Sequence, residues 1–362
     1  MAHVTAPRVL AYPADQGGCG FYRLLAVCRH LIAQGHDIDY VVHDDPPERQ
    51  LQAKWMERTD GVVEVLDVVA PDVDVVVFQR PLQAKYATAI PALQRKGVRV
   101  VVEIDDDFEH VEPRNISWKA VQPNLSPGRN REHLRRACEL ADLVTVSTPA
   151  LAAVYGRHGR VVVLPNYVPA AYLRIRQEAH DGLYVGWSGS IDTHPDDLQM
   201  CGTGVQRALL ATGANMAVVG TGKGVKGALG LSQVPLACGW RSLQDYPDAV
   251  AQFDVGIVPL NPSPFNEAKS WLKGLEMASV GVPFIASPTQ QYRALTSLGA
   301  GMLAESPRQW EGMLKRLLRD VGWREEVAAR GREVAATLTV EANAWRWLEA
   351  WGSLVNAPAQ HA

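Results

Sequence analysis

Short apolar runs alternate with amphipathic stretches along the first half of the chain. Residues 9–12, 38–42, 74–78, 98–104, 143–146 and 161–164 are compact clusters rich in Val, Ile and Leu that read as strands. Between them, residues 21–34, 81–95 and 129–141 space their apolar positions three and four apart and read as helices. In the first of these, Leu24, Leu25, Val27, Cys28, Leu31 and Ile32 form the apolar side. Strands that are apolar throughout, with helices between them, predict a parallel sheet covered on both faces. The rhythm restarts at residues 183–187 and continues through 217–219, 234–238, 255–258 and 283–286. Residues 165–182, with two prolines and a mixed polar composition, separate the two series and read as a linker. Helical patterns at 307–321, 324–336 and 340–354 close the chain, and the last holds Trp345, Trp347 and Trp351, which require a surface to bury against. The predicted fold class is α/β, with two doubly wound Rossmann-like domains over residues 1–170 and 171–339 and a terminal segment at 340–362.

Composition agrees and narrows the picture. A chain of 362 residues suits two domains. Its 47% hydrophobic and 21% charged content is that of a globular protein, and a net charge of −3 provides no general attraction to nucleic acid or anionic membrane. Five cysteines, an odd number without a CxxC pair, argue against a disulfide framework or zinc site and for a reducing, cytoplasmic setting. No apolar run is long enough for a signal peptide or a membrane span, and no repeat of fixed period is present.

Four segments carry candidate chemistry. After the first strand, QGGCGFYR (residues 16–23) has Gly17, Gly18 and Gly20 between strand and helix, followed by Arg23. Such a loop lets a backbone approach an anion, or simply turns into a helix; it is not GxGxxG, which argues against a dehydrogenase-type dinucleotide site. The strand at 183–187 leads into GWSGSIDTHPDD (residues 186–197), where Ser188, Gly189 and Ser190 form a plausible phosphate cradle. In that loop His194 reads as structural or donor-contacting rather than as a base, and Asp196 and Asp197 read as complements of a helix dipole. At the end of the 98–104 strand, EIDDD (residues 103–107) reads as a metal site, as a group that binds acceptor hydroxyls or lies near the reacting carbon, or as a cap; the second reading is preferred. Gly239 and Trp240 follow the 234–238 strand, and Trp240 either stacks on a base or packs.

The fourth segment, residues 253–287, is the most informative: strand, Pro- and Asn-rich loop, amphipathic helix, strand. Lys269, Lys273 and Glu276 stand four and three apart, which predicts one helix face with cations toward the positive end of the dipole, suited to a diphosphate. Solvated Lys and Glu at the same spacings are the plain alternative.

Residues 253–287, 141–166 and 185–198 together resemble GT-B glycosyltransferases of the retaining, glycogen-synthase-like superfamily, and short bacterial and phage members carrying FNxxKSxxKxLE in particular. That pattern is met here by Phe265, Asn266, Lys269, Ser270, Lys273, Leu275 and Glu276. The resemblance implies sugar transfer from a nucleotide-sugar donor with retention and without a metal or other cofactor. It implies that Glu276 holds the ribose, that Lys269 or Lys273 pairs with the diphosphate, and that the terminal helix returns to the first, acceptor-side domain. One departure stands out: the superfamily has a second glutamate eight positions before Glu276, where this chain has Ala268. Glu267 is one residue off, so either the local loop compensates or Phe265 and Asn266 line the sugar pocket instead. The superfamily's histidine after the central strand of the first domain is also not evident; Asp105 occupies roughly that place, which makes it the candidate catalytic group by resemblance. A non-catalytic nucleotide- or carbohydrate-binding protein on the same fold is the competing reading. The acceptor stays open among glycan, lipid, protein, small molecule and modified DNA base.

Overall fold

The computed structural model describes residues 6–57, 59, 63–122 and 129–355; the outer ends of the first domain and of the terminal segment lie outside the described residues. The chain forms two compact units. Unit 1 holds the described residues up to Val111, then Trp118–Asn166, and the chain from Val340 onward; unit 2 holds Glu112–Ser117 and Tyr167–Thr339.

Unit 1 is built on β1 (Val9–Tyr12), β2 (Ile38–Tyr40), β5 (Val75–Gln79), β6 (Arg99–Ile104), β7 (Leu143–Val146) and β8 (Val161–Val163). All pairings in this sheet are parallel, in the order β2-β1-β5-β6-β7-β8. The central strand β5 is buried at every position, as expected of a sheet covered on both faces. Between β2 and β5 lies an antiparallel hairpin, β3 (Ala53–Glu57) and β4 (Val63–Val68), that the hydrophobic pattern does not predict. Most of β3 faces solvent and its sequence is half polar, so it carries no core signature, while Val65 and Val68 of β4 are buried and the strand packs on the helix Ala84–Arg95.

Unit 2 repeats the plan with β9 (Tyr184–Gly189), β10 (Asn215–Gly220), β11 (Leu236–Ala237), β12 (Val255–Val258), β13 (Phe284–Ala286) and β14 (Met302–Leu303), all parallel, ordered β11-β10-β9-β12-β13-β14. Strand order reverses between β1 and β5 in one sheet and between β9 and β12 in the other. Loops at the carboxyl ends of those strands are where doubly wound sheets bind ligands.

The terminal helices Val340–Asn343 and Trp345–Val355 belong to unit 1. Trp347 and Trp351, one turn apart, are 1% and 0% exposed, whereas Trp345 is 53% exposed. Two residues along a helix is about 200° of rotation, so Trp345 cannot share the buried face with Trp347. The expectation that all three tryptophans are buried is corrected at Trp345, whose ring instead lies 5.1 Å from the Arg346 guanidinium. Trp345→Ala is accordingly expected to change unfolding free energy by no more than about 0.5 kcal/mol, measurable by chemical denaturation.

Candidate functional site

In unit 2, the segment after β12 is not one helix. A short helix, Pro264–Glu267, is capped by Ser263, whose side chain accepts from the Asn266 N–H; the chain then leaves helical geometry, and a second helix runs Leu272–Ser279. Ser270 Oγ accepts from the Leu272 N–H at 3.4 Å and helps start that second helix. Lys269 lies in the break, so the expected single face holding Lys269, Lys273 and Glu276 is corrected: only Lys273 and Glu276 share a helix. Lys269 places its ammonium 4.1 Å from the centre of the Phe265 ring. Phe265 is buried beneath it.

Lys273 sits in the first turn of the second helix and reaches the end of β9. A Cβ added to Gly189 would stand 2.9 Å from Lys273 Nζ, and Gly189 has φ +151°, so only glycine permits this approach. The Lys273 ammonium lies 3.5 Å from His194 Nε2 and 5.8 Å from the Trp187 ring. His194 Nδ1 donates to Asp197 Oδ2 at 2.8 Å, which leaves the Nε2 lone pair facing Lys273. Asp197 Oδ1 in turn accepts from the Asn261 N–H at 2.9 Å and from Asn266 Nδ2 at 2.6 Å. An Asp197–His194–Lys273 relay thus stands at the carboxyl ends of β9 and β12, where the strand order reverses.

The electrostatics follow from this burial. Lys273 is held down to about 8, chiefly by desolvation and further by Lys269, against the pull of Asp197 and Glu276. His194 is pushed down to about 4, first by burial and then by the Lys273 charge, so it is neutral near pH 7. Burial alone would raise Asp197, but the hydrogen bonds from His194, Asn261 and Asn266 outweigh it and hold the carboxyl below its usual range.

Glu276 is buried, and its Oε2 accepts from the Tyr246 hydroxyl at 2.9 Å; that hydroxyl lies 3.1 Å from Ser188 Oγ. Burial, reinforced by the Glu276 charge, raises Tyr246 well above its ordinary range, so it stays a neutral donor.

Several expected site residues have other work. Ser188 is 2% exposed and turned toward Tyr246, so its side chain does not line a phosphate cradle. Ser190 Oγ accepts from the Asp192 N–H at 3.2 Å and closes its own turn. Asn266 is buried and held by Asp197 and Asn261 rather than lining a sugar pocket. Glu267 accepts from the Gln290 N–H at 3.2 Å, near the start of the next helix. Trp240 is 67% exposed, which removes the packing alternative.

In unit 1, Arg23 is not a donor contact. It is fully buried in a π-helical turn (Phe21–Leu25), with Nε and Nη2 each 2.8 Å from Glu103 Oε1. Its Nη1 donates to the Leu164 carbonyl at 2.6 Å and to Asn166 Oδ1 at 2.8 Å, and its guanidinium lies 5.3 Å from the Trp347 ring. The glycine-rich loop serves the same packing. A Cβ on Gly20 would stand 1.8 Å from the Asp15 carbonyl oxygen, whereas one on Gly18 would meet nothing within 4 Å. Gly20 is therefore required by its own turn.

The EIDDD carboxylates divide. Glu103 faces Arg23 and Thr145; Asp107 accepts from His110 Nδ1 at 2.7 Å and caps the following turn through the N–H groups of Glu109 and His110. Asp105 is gripped by both arms of the Arg80 guanidinium, at 2.5 and 2.8 Å, so it is an ion-pair partner rather than an unengaged carboxylate. Arg80 has φ +48°, a strained conformation for a side chain of this kind, at the carboxyl end of β5. Among the described residues no group of three or more His, Cys, Asp or Glu side chains is arranged to hold a metal ion, and no helix is long and apolar enough to cross a membrane. A cavity of about 460 Å³, lined by Tyr12, Asp15, Gln79, Arg80 and Tyr86 among others, opens at the carboxyl ends of β1 and β5.

No family model and no curated protein sequence matches the chain. Solved structures do. Sucrose-phosphate synthase from Thermosynechococcus elongatus is similar over 97% of this chain and 100% of its own, with 15% identity and a TM-score of 0.66. A glycosyltransferase from Rickettsia africae is similar over 97% and 99%, with 11% identity and a TM-score of 0.66. HepE from Anabaena, solved in complex with UDP-glucose, is similar over 96% and 100%, with 14% identity and a TM-score of 0.60. The chain shares their fold, GT-B. In this GT-B chain, the relay is the part that the sequence does not announce: His194 and Asp197 read there as a structural or donor-contacting residue and as a helix-dipole complement, and nothing local marks Tyr246. The signal available for them was the HxxD spacing of His194 and Asp197 directly after a glycine loop.

Proposed function

We propose that this protein transfers a glycosyl group from a nucleoside-diphosphate sugar to an acceptor hydroxyl, with retention and without a metal. The observation that carries the reading is the Lys273 ammonium, placed against the backbone of Gly189 and oriented by His194 where the unit 2 strand order reverses. A cation there neutralises a diphosphate, and more so as negative charge grows on the leaving group. In the reaction the anomeric carbon bonds to the acceptor oxygen, the bond to the diphosphate oxygen breaks with its electrons going to the diphosphate, and the acceptor proton is released. HepE, of the same fold, is solved with UDP and with UDP-glucose, which supports a uridine nucleotide as the first probe. Glu276, beside Tyr246, is the proposed ribose contact, and the exposed Trp240 the proposed base contact. The unit 1 cavity is the proposed acceptor site, with Arg80 in its lining and Asp105 paired to Arg80.

Incubation with a panel of nucleotide sugars tests the reading: slow release of free nucleotide from one of them is expected, and none from any would overturn it. Glu276→Gln is expected to weaken UDP binding by about 1–3 kcal/mol, the scale of a hydrogen bond to a charged group, as read by calorimetry. A nucleotide- or carbohydrate-binding protein that performs no chemistry is the second reading. One observation favours it: Asp105 and Glu267 are both engaged, by Arg80 and by the Gln290 N–H. Nucleotide binding without release would select it.

A further inference from the structure

The stretch Glu112–Ser117 follows β6 in sequence yet belongs to unit 2. Asn115 within it is 6% exposed. Its Nδ2 donates to the Thr193 carbonyl at 2.9 Å and its Oδ1 accepts from the Ser117 N–H at 2.9 Å, so both ends of the amide are fixed. The Ile116 N–H donates to the Asp192 carbonyl at 2.8 Å, and Arg114 pairs with Asp196. Three consecutive residues thus grip three points of the loop that leaves β9. The same loop carries Ser190 and His194, and its turn is closed by the Thr193 and His194 N–H groups on the Ser190 carbonyl, at 3.3 and 3.1 Å. Thr193 is the immediate neighbour of His194, which meets Lys273. If the turn drifts, a nearly buried amide loses its acceptor, which is costly, and the drift carries the His194 ring with it.

We propose that Asn115 is a positioning residue for the diphosphate site: by gripping the Thr193 carbonyl it fixes the turn that sets His194 beside Lys273. The proposal rests on the reading of that site given above. Asn115 acts through the loop and needs no contact with the donor. A strap supplied from the first half of the sequence makes the geometry of the donor loop depend on residues far from it in the chain. The Arg114–Asp196 pair, with Arg114 exposed, contributes less, because solvent screens it.

Calorimetry of the full chain with UDP, and separately with inorganic pyrophosphate, tests this on the wild type, Asn115→Asp, Asn115→Ala and Lys273→Met. Asn115→Asp keeps the acceptor for Ser117 and loses the donor to Thr193. The Kd for UDP is expected to rise about fivefold in Asn115→Asp and in Asn115→Ala, the scale of one net hydrogen bond, with stoichiometry unchanged and the same change for pyrophosphate. A merely structural role would lower the stoichiometry as the unfolded fraction grew and leave Kd as it was; that result overturns the proposal. Should Asn115→Asp not fold, Asn115→Ala decides by the same criterion. Unchanged Kd in both Asn115 variants with weakened binding in Lys273→Met overturns the strap alone. Unchanged Kd in all three overturns the diphosphate reading as well.

Discussion

Lys273→Met is expected to lower turnover by about 10²–10³-fold, the usual loss when one preorganised charge-stabilising donor is removed, while UDP affinity falls only about tenfold. Methionine keeps most of the side-chain volume against Trp187 and removes only the charge. The asymmetry follows from where charge develops: the bond to the diphosphate breaks in the transition state, so an ammonium beside it matters more there than in the ground state. Lys269→Met should cost less, because Lys269 stands outside the second helix and places its ammonium over the Phe265 ring, whereas Lys273 reaches the end of β9. The pH dependence has a definite sign. Binding needs the protonated amine, and burial has already drawn Lys273 down to about 8, so UDP affinity should fall as pH rises through that value. The groups facing this amine are His194, Asp197, Lys269 and Glu276. Of these His194 is neutral across the range and contributes no inflection there. Titrating UDP affinity between about pH 6 and 10 checks the direction, and an affinity that rises with pH would sink the assignment.

The largest effect on stability is expected from Arg23→Met, at about 3–5 kcal/mol, because it leaves a buried carboxylate without its cation. The Arg23 and Glu103 side chains are 1% and 0% exposed, so water offers no substitute. Burial already pushes Glu103 up, to about 7 against an ordinary 4.5, in spite of Arg23 and the Thr145 hydroxyl. Without Arg23 the carboxyl must be protonated in the folded state, and the sign follows. A carboxyl whose folded pKa exceeds its unfolded one favours folding at low pH and loses that advantage as pH rises through the interval between them. The wild-type carboxyl is itself protonated in the fold below about 7, so the penalty of Arg23→Met relative to wild type should be smallest below that pH and grow as pH rises above it. Urea denaturation at several pH values measures it. Adding Glu103→Leu should recover part of the loss, since an apolar replacement of both partners removes the orphaned charge.

Much of the fold could be read from the chain because buried parallel strands have no polar alternation to disguise them. The runs at 9–12, 143–146 and 255–258 are strands with those same limits. The hairpin of β3 and β4 was missed for the converse reason: β3 lies mostly in solvent and its residues carry no period. The edge strand β14, two residues long, has no run to detect. At the site, Lys273 and Glu276 were legible because a helix brings residues three apart together. The break at Lys269 was not: it follows a short helix whose Asn266 is tied to Asp197, sixty-nine positions away, a contact that local spacing cannot reveal. Arg23 was misread since a cation behind a glycine loop looks like an anion site; its partner Glu103 lies eighty positions on. Such pairings are set by topology, and no local spacing announces them.

The chain passes between its two units four times, at residues 111–112, 117–118, 166–167 and 339–340. Synthesis runs from one end, so the sheet of unit 1 is translated long before the helix that carries Trp347 and Trp351. Until about half the chain more has emerged, the side of the unit awaiting those two rings, and the face of the Arg23 guanidinium that lies against Trp347, lack that cover. A nascent chain halted before residue 340 should therefore be prone to aggregate or to engage chaperones, although its six-stranded sheet is complete. Neither unit can be excised as one uninterrupted piece of sequence, so a fragment built to isolate unit 2 from residue 167 onward would lack Asn115 unless that strap were grafted back.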